Sequence, residues 1–260
     1  MTKILSVANQ KGGVAKTTTV VNLAAALVQK GFSVLCIDFD PQNNMSDYLG
    51  YEQGTSDTIS GLMQKAATMQ QFDVSVCICH NKEGIDYIPS DIVLASADVF
   101  LATAMCREQV LKNVLACPEV QQYDFVIIDC LPSLGILLTN ALAASDSVII
   151  PVETQKFAMI GLKQLMDIIA IVRQALNPKL TVSGILPAKV DNTNMSTSVV
   201  EILRENHGDL VFETQISRRV EAANSTAAQQ SLVSDKSSVL GKQYIQFAAE
   251  LLERGNTLWQ

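Results

Sequence analysis

The sequence lacks any uninterrupted apolar stretch near the roughly 20 residues that a membrane-spanning helix needs. Its N-terminus, MTKILSVANQKGG, lacks the long apolar region of a secretory signal peptide. No internal repeat, low-complexity tract or linker interrupts the chain either. These absences predict a soluble, cytoplasmic protein with a single domain over residues 1–260.

Cysteine and histidine are too scattered to build a disulfide framework or a structural metal site. Most of the six cysteines lie in apolar runs, which is typical of reduced, buried thiols in a cytosolic protein. Cys77, Cys79 and His80 are close together, but no second ligand pair follows at the usual zinc spacing. We therefore interpret the two cysteines as exposed loop thiols rather than as metal ligands.

Basic residues are also in short supply. The chain has 19 Lys and Arg against 26 Asp and Glu, a formal net charge of −7 and a pI near 4.9. This balance argues against a general affinity for polyanions, although it leaves room for a local basic patch.

The chain does have enough apolar residues for a large core, since 48% of its 260 residues are apolar and 17% are charged. Short aliphatic runs alternate with segments of helical period. The predicted strands are Ile4–Ala8, Ser33–Ile37, Asp86–Pro89, Phe125–Asp129, Ser147–Pro151 and Thr181–Leu186. The predicted helices are Thr17–Lys30, Ser96–Ala116, Leu134–Ala144, Phe157–Leu176, Met195–Asn206 and Val239–Leu252. The alternation predicts an α/β fold with a mostly parallel twisted sheet and helices on both faces.

Two helices carry apolar residues at core-facing spacing. The predicted inward residues are Ile160, Leu165, Ile168, Ile169 and Val172 in the fourth helix, and Ile245, Ala248, Ala249 and Leu252 in the last. The polar stretch Gly50–Lys82, between the second and third strands, is the predicted insertion.

A phosphate-binding loop follows the first predicted strand. It reads Asn9-Gln10-Lys11-Gly12-Gly13-Val14-Ala15-Lys16-Thr17-Thr18 and leads into a helix, so loop amides and the helix dipole can face an anion. We expect Lys16 to neutralise the β- and γ-phosphate oxygens and the Thr17 hydroxyl to ligate Mg²⁺. The strict G-x-x-x-x-G-K-[ST] pattern fails at Gln10 and Ala15, so this is a variant loop with an additional lysine, Lys11.

This stretch resembles the deviant Walker A loop of the ParA/MinD family of P-loop ATPases. The resemblance implies a P-loop fold, ATP and Mg²⁺ as cofactors, and a nucleotide site formed by Lys11, Gly12, Gly13, Val14, Ala15, Lys16, Thr17 and Thr18. The family's signature lysine matches Lys11, which implies that Lys11 reaches across an ATP-bound homodimer to the partner's nucleotide. A second cation there would stabilise charge in the transition state.

The resemblance extends over nearly the full chain. Asp38-Phe39-Asp40-Pro41-Gln42 looks like the family's first switch, in which Asp40 would position the attacking water and Asp38 would support the Mg²⁺ shell. The strand that ends at Asp129 has the Walker B arrangement, which implies a magnesium ligand. The following Leu131-Pro132-Ser133 resembles the second switch, and Pro151-Val152-Glu153 with Phe157 matches a family strand–helix junction.

The sequence departs from the family pattern at several positions. Ala15 replaces a glycine, and a positive φ at this position would cost about 1–2 kcal/mol. Ile216-Ser217-Arg218-Arg219-Val220 resembles an I-P-R-x-V segment near the adenine but lacks its proline. Asp191-Asn192-Thr193-Asn194 resembles a loop near the base but lacks its usual arginine.

The resemblance implies slow ATP hydrolysis, non-specific DNA binding by the ATP dimer, and stimulation by a ParB-like partner, for DNA partition at the nucleoid. Candidate DNA-binding residues are Lys189, Arg218, Arg219, Lys236, Lys242 and Arg254. Glutamates on the polar face of the last helix argue against the membrane anchoring of MinD-like members. An ATP-binding scaffold with feeble hydrolysis, and a positioner of a non-DNA cargo, remain alternatives.

Overall fold

The computed structural model describes residues 2–155 and 158–258. Its sheet has seven strands in the order β3-β4-β2-β5-β1-β6-β7, and only the β3–β4 pair is antiparallel. The strands are β1 Lys3–Val7, β2 Val34–Phe39, β3 Cys79–His80, β4 Asp86–Ile88, β5 Phe125–Cys130, β6 Ser147–Glu153 and β7 Thr181–Ala188. The predicted, mostly parallel α/β sheet is confirmed.

Helices cover both faces of this sheet, and each face has its own buried apolar cluster. The helices are α1 Lys16–Gln29, α2 Asn44–Tyr48, α3 Ile59–Ala67, α4 Ala97–Leu101, α5 Val110–Leu115, α6 Pro118–Gln121, α7 Ile136–Ala144, α8 Ala158–Ala175, α9 Asn194–His207, α10 Glu221–Ala227 and α11 Val239–Leu258. Short 3₁₀ turns lie at Ser75–Cys77, Ile92–Ser96, Arg107–Gln109, Gly208–Leu210 and Leu232–Ser234. Within the described residues, none of the helices has the length and apolarity needed to cross a membrane.

The register places three strand ends side by side. Val7 of β1 pairs with Asp129 of β5, and Asp38 of β2 pairs with the same Asp129. Because parallel strands end at a common edge, the loops after β1, β2 and β5 meet there. The phosphate loop, the first switch and the Walker B carboxylate are thereby brought together.

The prediction of one helix over Ser96–Ala116 is wrong. Cys106 has a φ of 50°, a left-handed conformation that ends the helical path between α4 and α5. The Asn140 side chain accepts a hydrogen bond from the Leu111 amide at 3.1 Å and donates to the Arg107 carbonyl at 2.8 Å. These bonds from α7 satisfy the backbone groups that the break exposes.

Two of the predicted inward-facing residues are also wrong. Ile160 is 59% exposed and Ile245 is 38% exposed. In α8 the buried positions are Leu162, Leu165, Ile169 and Val172, and in α11 they include Leu240, Tyr244, Phe247, Ala248 and Leu251. The buried face of each helix is therefore rotated from the predicted face. An aliphatic residue at the edge of the apolar stripe fits the helical period as well as a buried residue does, so periodicity alone does not distinguish them.

The stretch Gly50–Lys82 contributes α3 and β3, and its Ile59, Leu62 and Met63 are buried in the core. Cys77, predicted as an exposed loop thiol, is buried as well, and Cys79 is partly buried. In contrast, Cys106 is exposed rather than buried. The predicted Phe157 lies outside the described residues.

Candidate nucleotide site

The loop from residue 9 to residue 15 turns tightly between β1 and α1. Gly13 has a φ of 74° and Ala15 a φ of 71°, so both adopt the left-handed conformation. Asn9 fixes the start of the loop, because its side chain donates to the Pro151 carbonyl at 2.7 Å and accepts from the Lys11 amide at 2.9 Å. A methyl group added at Gly12 or Gly13 would meet no atom within 4 Å, so the loop faces open space.

This open space is a cavity of about 700 Å³. Gly12, Gly13, Ala15, Lys16, Thr17 and Thr18 of the loop line it, with Asp40 and Pro132 from the two switches. The rest of the lining includes Ile216–Arg219, residues of α10, and Leu240 and Tyr244 of α11. The Val14 side chain is buried instead, and Lys11 turns toward Glu153. The size and the mixed lining suit a nucleotide.

The Asp129 carboxylate, beside the phosphate loop, has one oxygen without a hydrogen-bond partner in the described part of the chain. The Thr17 hydroxyl donates to Asp129 Oδ2 at 2.6 Å, while Asp129 Oδ1 is buried and has no hydrogen-bond partner among the described residues. Burial and the neighbouring Asp38 raise the pKa of Asp129 to about 8. Lys16 is only 7% exposed, and burial lowers its pKa against the pull of Asp129. A hydroxyl beside an unsatisfied carboxylate is a donor set that fits Mg²⁺.

Asp38 is fully buried and holds the first switch. It accepts the Ser46 amide at 2.8 Å, the Ser46 hydroxyl at 2.7 Å and the Asp40 amide at 3.2 Å. Burial raises its pKa to about 6. Because both Asp38 oxygens bind the chain itself, the geometry favours support of the metal shell over direct ligation.

Asp40 lines the cavity, and its Oδ1 accepts the Gln42 amide at 2.9 Å. The lining also includes Tyr48 of α2, whose hydroxyl binds Asn22 and Ser225. Tyr48 and Tyr244 were not predicted as site residues. Their helical spacing identifies core positions and gives no sign of which ones border a ligand.

The loop that resembles one near the base, residues 191–194, lies outside the lining of the cavity. Thr193 begins α9, where its side chain accepts the Ser196 amide at 3.2 Å. Asp191 lies 3.7 Å from Arg218, and the residues 191–194 do not line the cavity. Lys189, Arg218 and Arg219, predicted as DNA contacts, do line it.

At Cys77–His80 the sequence predicts loop thiols rather than metal ligands, and in the structure His80 has a carboxylate partner. His80 pairs with Asp86 at 2.6 Å. Across residues 2–155 and 158–258, three or more His, Cys, Asp or Glu side chains are nowhere grouped so as to hold a metal ion.

Comparison with known proteins decides the family. A family described as an AAA domain matches residues 2–182. The sporulation initiation inhibitor protein Soj of Bacillus subtilis is 37% identical over 98% of this chain and its own full length. The chromosome partitioning protein ParA of Caulobacter vibrioides is 35% identical over 97% of this chain and 94% of its own. The chain belongs to the ParA/Soj family of P-loop ATPases.

A solved structure supports the same fold for this ParA/Soj chain. Cobyrinic acid a,c-diamide synthase from Mycobacterium smegmatis, with a bound ATP analogue and magnesium, superposes with a TM-score of 0.84. It is 33% identical, and the match covers 99% of this chain and 97% of that one. As a ParA/Soj member the chain is an ATPase, with ATP and Mg²⁺ as its cofactors.

Proposed function

We propose that this ATPase partitions DNA: it binds Mg·ATP, dimerises, binds DNA non-specifically and hydrolyses ATP slowly under the control of a ParB-like partner. The observation that carries the proposal is the hydrogen bond between Thr17 and Asp129 at 2.6 Å, beside Lys16 and the unpartnered Asp129 Oδ1. The full-length similarity to partition proteins supports the choice of cargo. The protein would be cytoplasmic and associate with the nucleoid when ATP is bound.

Each phosphate-site residue has a chemical task in this proposal. Lys16 and the loop amides bind the phosphates, and the N-terminus of α1 adds its dipole. Thr17 and Asp129 would hold Mg²⁺, with Asp38 orienting the first switch. The bound metal would neutralise charge that develops on the transferred phosphoryl group.

Asp40 is the residue that we assign to the attacking water. Its Oδ1 is occupied by the Gln42 amide, so Oδ2 would accept the hydrogen bond that orients this water. Pro132, which also lines the cavity, belongs to the second switch and would sense the γ-phosphate. Lys11 would act on the neighbouring subunit's nucleotide in the dimer.

Phosphate release from the purified protein, with and without DNA, tests this function. We expect slow release in the wild type. Asp40→Ala should abolish release, because the water loses its orienting carboxylate, while Mg·ATP binding by calorimetry is kept. Lys16→Ala should lose nucleotide binding. An Asp40→Ala protein that no longer binds ATP, or a folded wild type that never binds it, would contradict the assignment.

One observation favours a second candidate, an ATP-binding scaffold with feeble hydrolysis. Ala15 adopts a φ of 71° in the loop itself, so the phosphate site contains a non-glycine residue where glycine is preferred. The same phosphate assay separates the two functions: a scaffold would bind Mg·ATP and dimerise without measurable release, even with DNA present.

A further inference from the structure

One buried carboxylate is shared by two cations from different loops. Glu153, at the end of β6, accepts Lys11 Nζ at Oε2 and Arg218 Nη2 at Oε1, both at 2.8 Å. Lys11 belongs to the phosphate loop, and Arg218 belongs to the segment 216–219 that lines the cavity. Glu153 therefore links two separate segments of the chain at the nucleotide site.

The two cations differ in how firmly they are held. Lys11 has a second acceptor, Gln155 Oε1 at 2.8 Å, so its ammonium is bound at two points within its own subunit. Arg218 divides its guanidinium between Glu153 and the more exposed Asp191, 3.7 Å from its Nε. It can therefore turn fully to Glu153 at little cost.

The Glu153 side chain is only 8% exposed, so its charge needs a cation. Burial alone would raise the pKa of Glu153, but the hydrogen bond and charge of Lys11, with Lys189 and Arg218, lower it below its usual value. If Lys11 left without a replacement, a buried carboxylate would lose one of its two direct partners.

We propose that Glu153 is a positioning residue that holds Lys11 within its own subunit, and that Arg218 is the replacement cation that lets Lys11 cross to a neighbouring subunit. The inference rests on the proposed function, because it takes the destination of Lys11 to be the partner's nucleotide. Dimerisation then includes an exchange of cations at Glu153. Arg218 acts in this exchange rather than on DNA.

The exchange predicts that Glu153→Gln and Arg218→Ala have opposite effects on dimerisation. Glu153→Gln removes the charge that holds Lys11, so dimers should form at a protein concentration at least about fivefold lower. Arg218→Ala removes the replacement cation and should raise that concentration by a similar factor. When Arg218→Ala is added to Glu153→Gln, it should cause no further change in dimerisation, because no buried charge remains to be neutralised.

Sedimentation velocity with Mg²⁺ and a non-hydrolysable ATP analogue measures these concentrations. Glu213→Gln and Arg204→Ala are matched controls, because this pair at 2.6 Å is a surface ion pair with Glu213 77% exposed. Neither control should shift dimerisation. The affinity for the analogue, measured at protein concentrations too low for dimers to form, shows whether a variant changes nucleotide binding rather than dimerisation.

The exchange is overturned if Glu153→Gln dimerises like the wild type or worse. It is also overturned if the shifts of the two single variants add in the double variant, because a general change in charge would produce such additivity. If Glu153→Gln does not fold, Arg218→Ala alone decides, since unchanged dimerisation rejects the replacement role. Lys11→Ala distinguishes a failure of the proposed function from a failure of this inference. Normal dimers in Lys11→Ala would reject the proposed function, whereas lost dimers there with a silent Glu153→Gln would reject only this inference.

Discussion

At the residue scale, Ala15 carries backbone strain in the loop that is predicted to bind phosphate. Its φ of 71° and ψ of 28° lie in the left-handed region, which costs a residue with a Cβ about 1–2 kcal/mol. This conformation is part of the turn that begins α1, where the Thr19 amide donates to the Ala15 carbonyl at 2.9 Å. The cost therefore falls on the stability of the fold and not on the binding step.

Ala15→Gly should raise the free energy of unfolding by about 1 kcal/mol, since glycine adopts this conformation without the penalty. The affinity for Mg·ATP should change little. Urea unfolding and calorimetry measure the two quantities. Asn43→Gly is the control: Asn43 has a φ of 47°, but asparagine tolerates this region, so its gain should be smaller. An Ala15→Gly protein with unchanged stability and tenfold tighter ATP binding would place the strain in the binding step instead.

The residues that could be predicted from the sequence are those whose role follows from a local motif. Lys16, Thr17, Asp40 and Asp129 come together because each lies at or just after the end of a strand at the same edge of the sheet. The ion pair of Lys11 with Glu153 spans 142 residues and depends on how β6 packs beside β1. No spacing in the sequence reports it.

At the element scale, local patterns predict the long strands and helices but not their interruptions. The break between α4 and α5 depends on Asn140, more than 25 residues further along the chain. Short helices such as α2 and α10 have too few turns for a periodic pattern, and tertiary contacts stabilise them. Gln229, just beyond α10, donates to the Asp47 carbonyl of α2 at 2.9 Å.

Arg254 fastens the helix α11 to the segment 209–212, which begins within the 3₁₀ turn Gly208–Leu210. This guanidinium donates to the Asp209 carbonyl at 2.7 Å and to the Val211 carbonyl at 2.9 Å, and it lies 4.2 Å from the centre of the Phe212 ring. It also pairs with Glu250, which accepts the Glu213 and Thr214 amides. The predicted DNA contact is therefore engaged in packing.

Arg254→Ala should lower the free energy of unfolding by about 2 kcal/mol, because the partly buried Val211 carbonyl and the exposed Asp209 carbonyl both lose a charged donor. Glu253→Ala, at the exposed neighbouring position, should leave stability unchanged. Thermal or urea unfolding measures both variants. DNA binding by folded Arg254→Ala should equal that of the wild type, and weaker binding with unchanged stability would restore Arg254 as a DNA contact.

At the scale of the whole molecule, the proposed function requires an acidic chain to bind an acidic polymer. The net charge is −7, so long-range attraction to DNA is absent, and binding needs a local cluster of cations. Of the six candidates, Arg254 is engaged in packing, and Lys189, Arg218 and Arg219 line the nucleotide cavity. Lys236 and Lys242 are exposed near the start of α11. A dimer would present each of them twice.

Co-sedimentation with DNA should therefore depend on both nucleotide and salt. Binding with Mg·ATP should exceed binding with ADP or without nucleotide, since only the dimer doubles the cluster. The double variant Lys236→Ala/Lys242→Ala should weaken DNA binding and make it less dependent on salt. The slope of the logarithm of the binding constant against the logarithm of the salt concentration should fall in magnitude by about one for each lysine that no longer neutralises a phosphate. Lys112→Ala is the control, because α5 lies on the opposite face of the sheet and also carries an exposed lysine. Equal binding in all three nucleotide states, or equal losses in both variants, would mean that dimerisation does not assemble the DNA-binding surface and that the acidic chain contacts DNA through residues elsewhere.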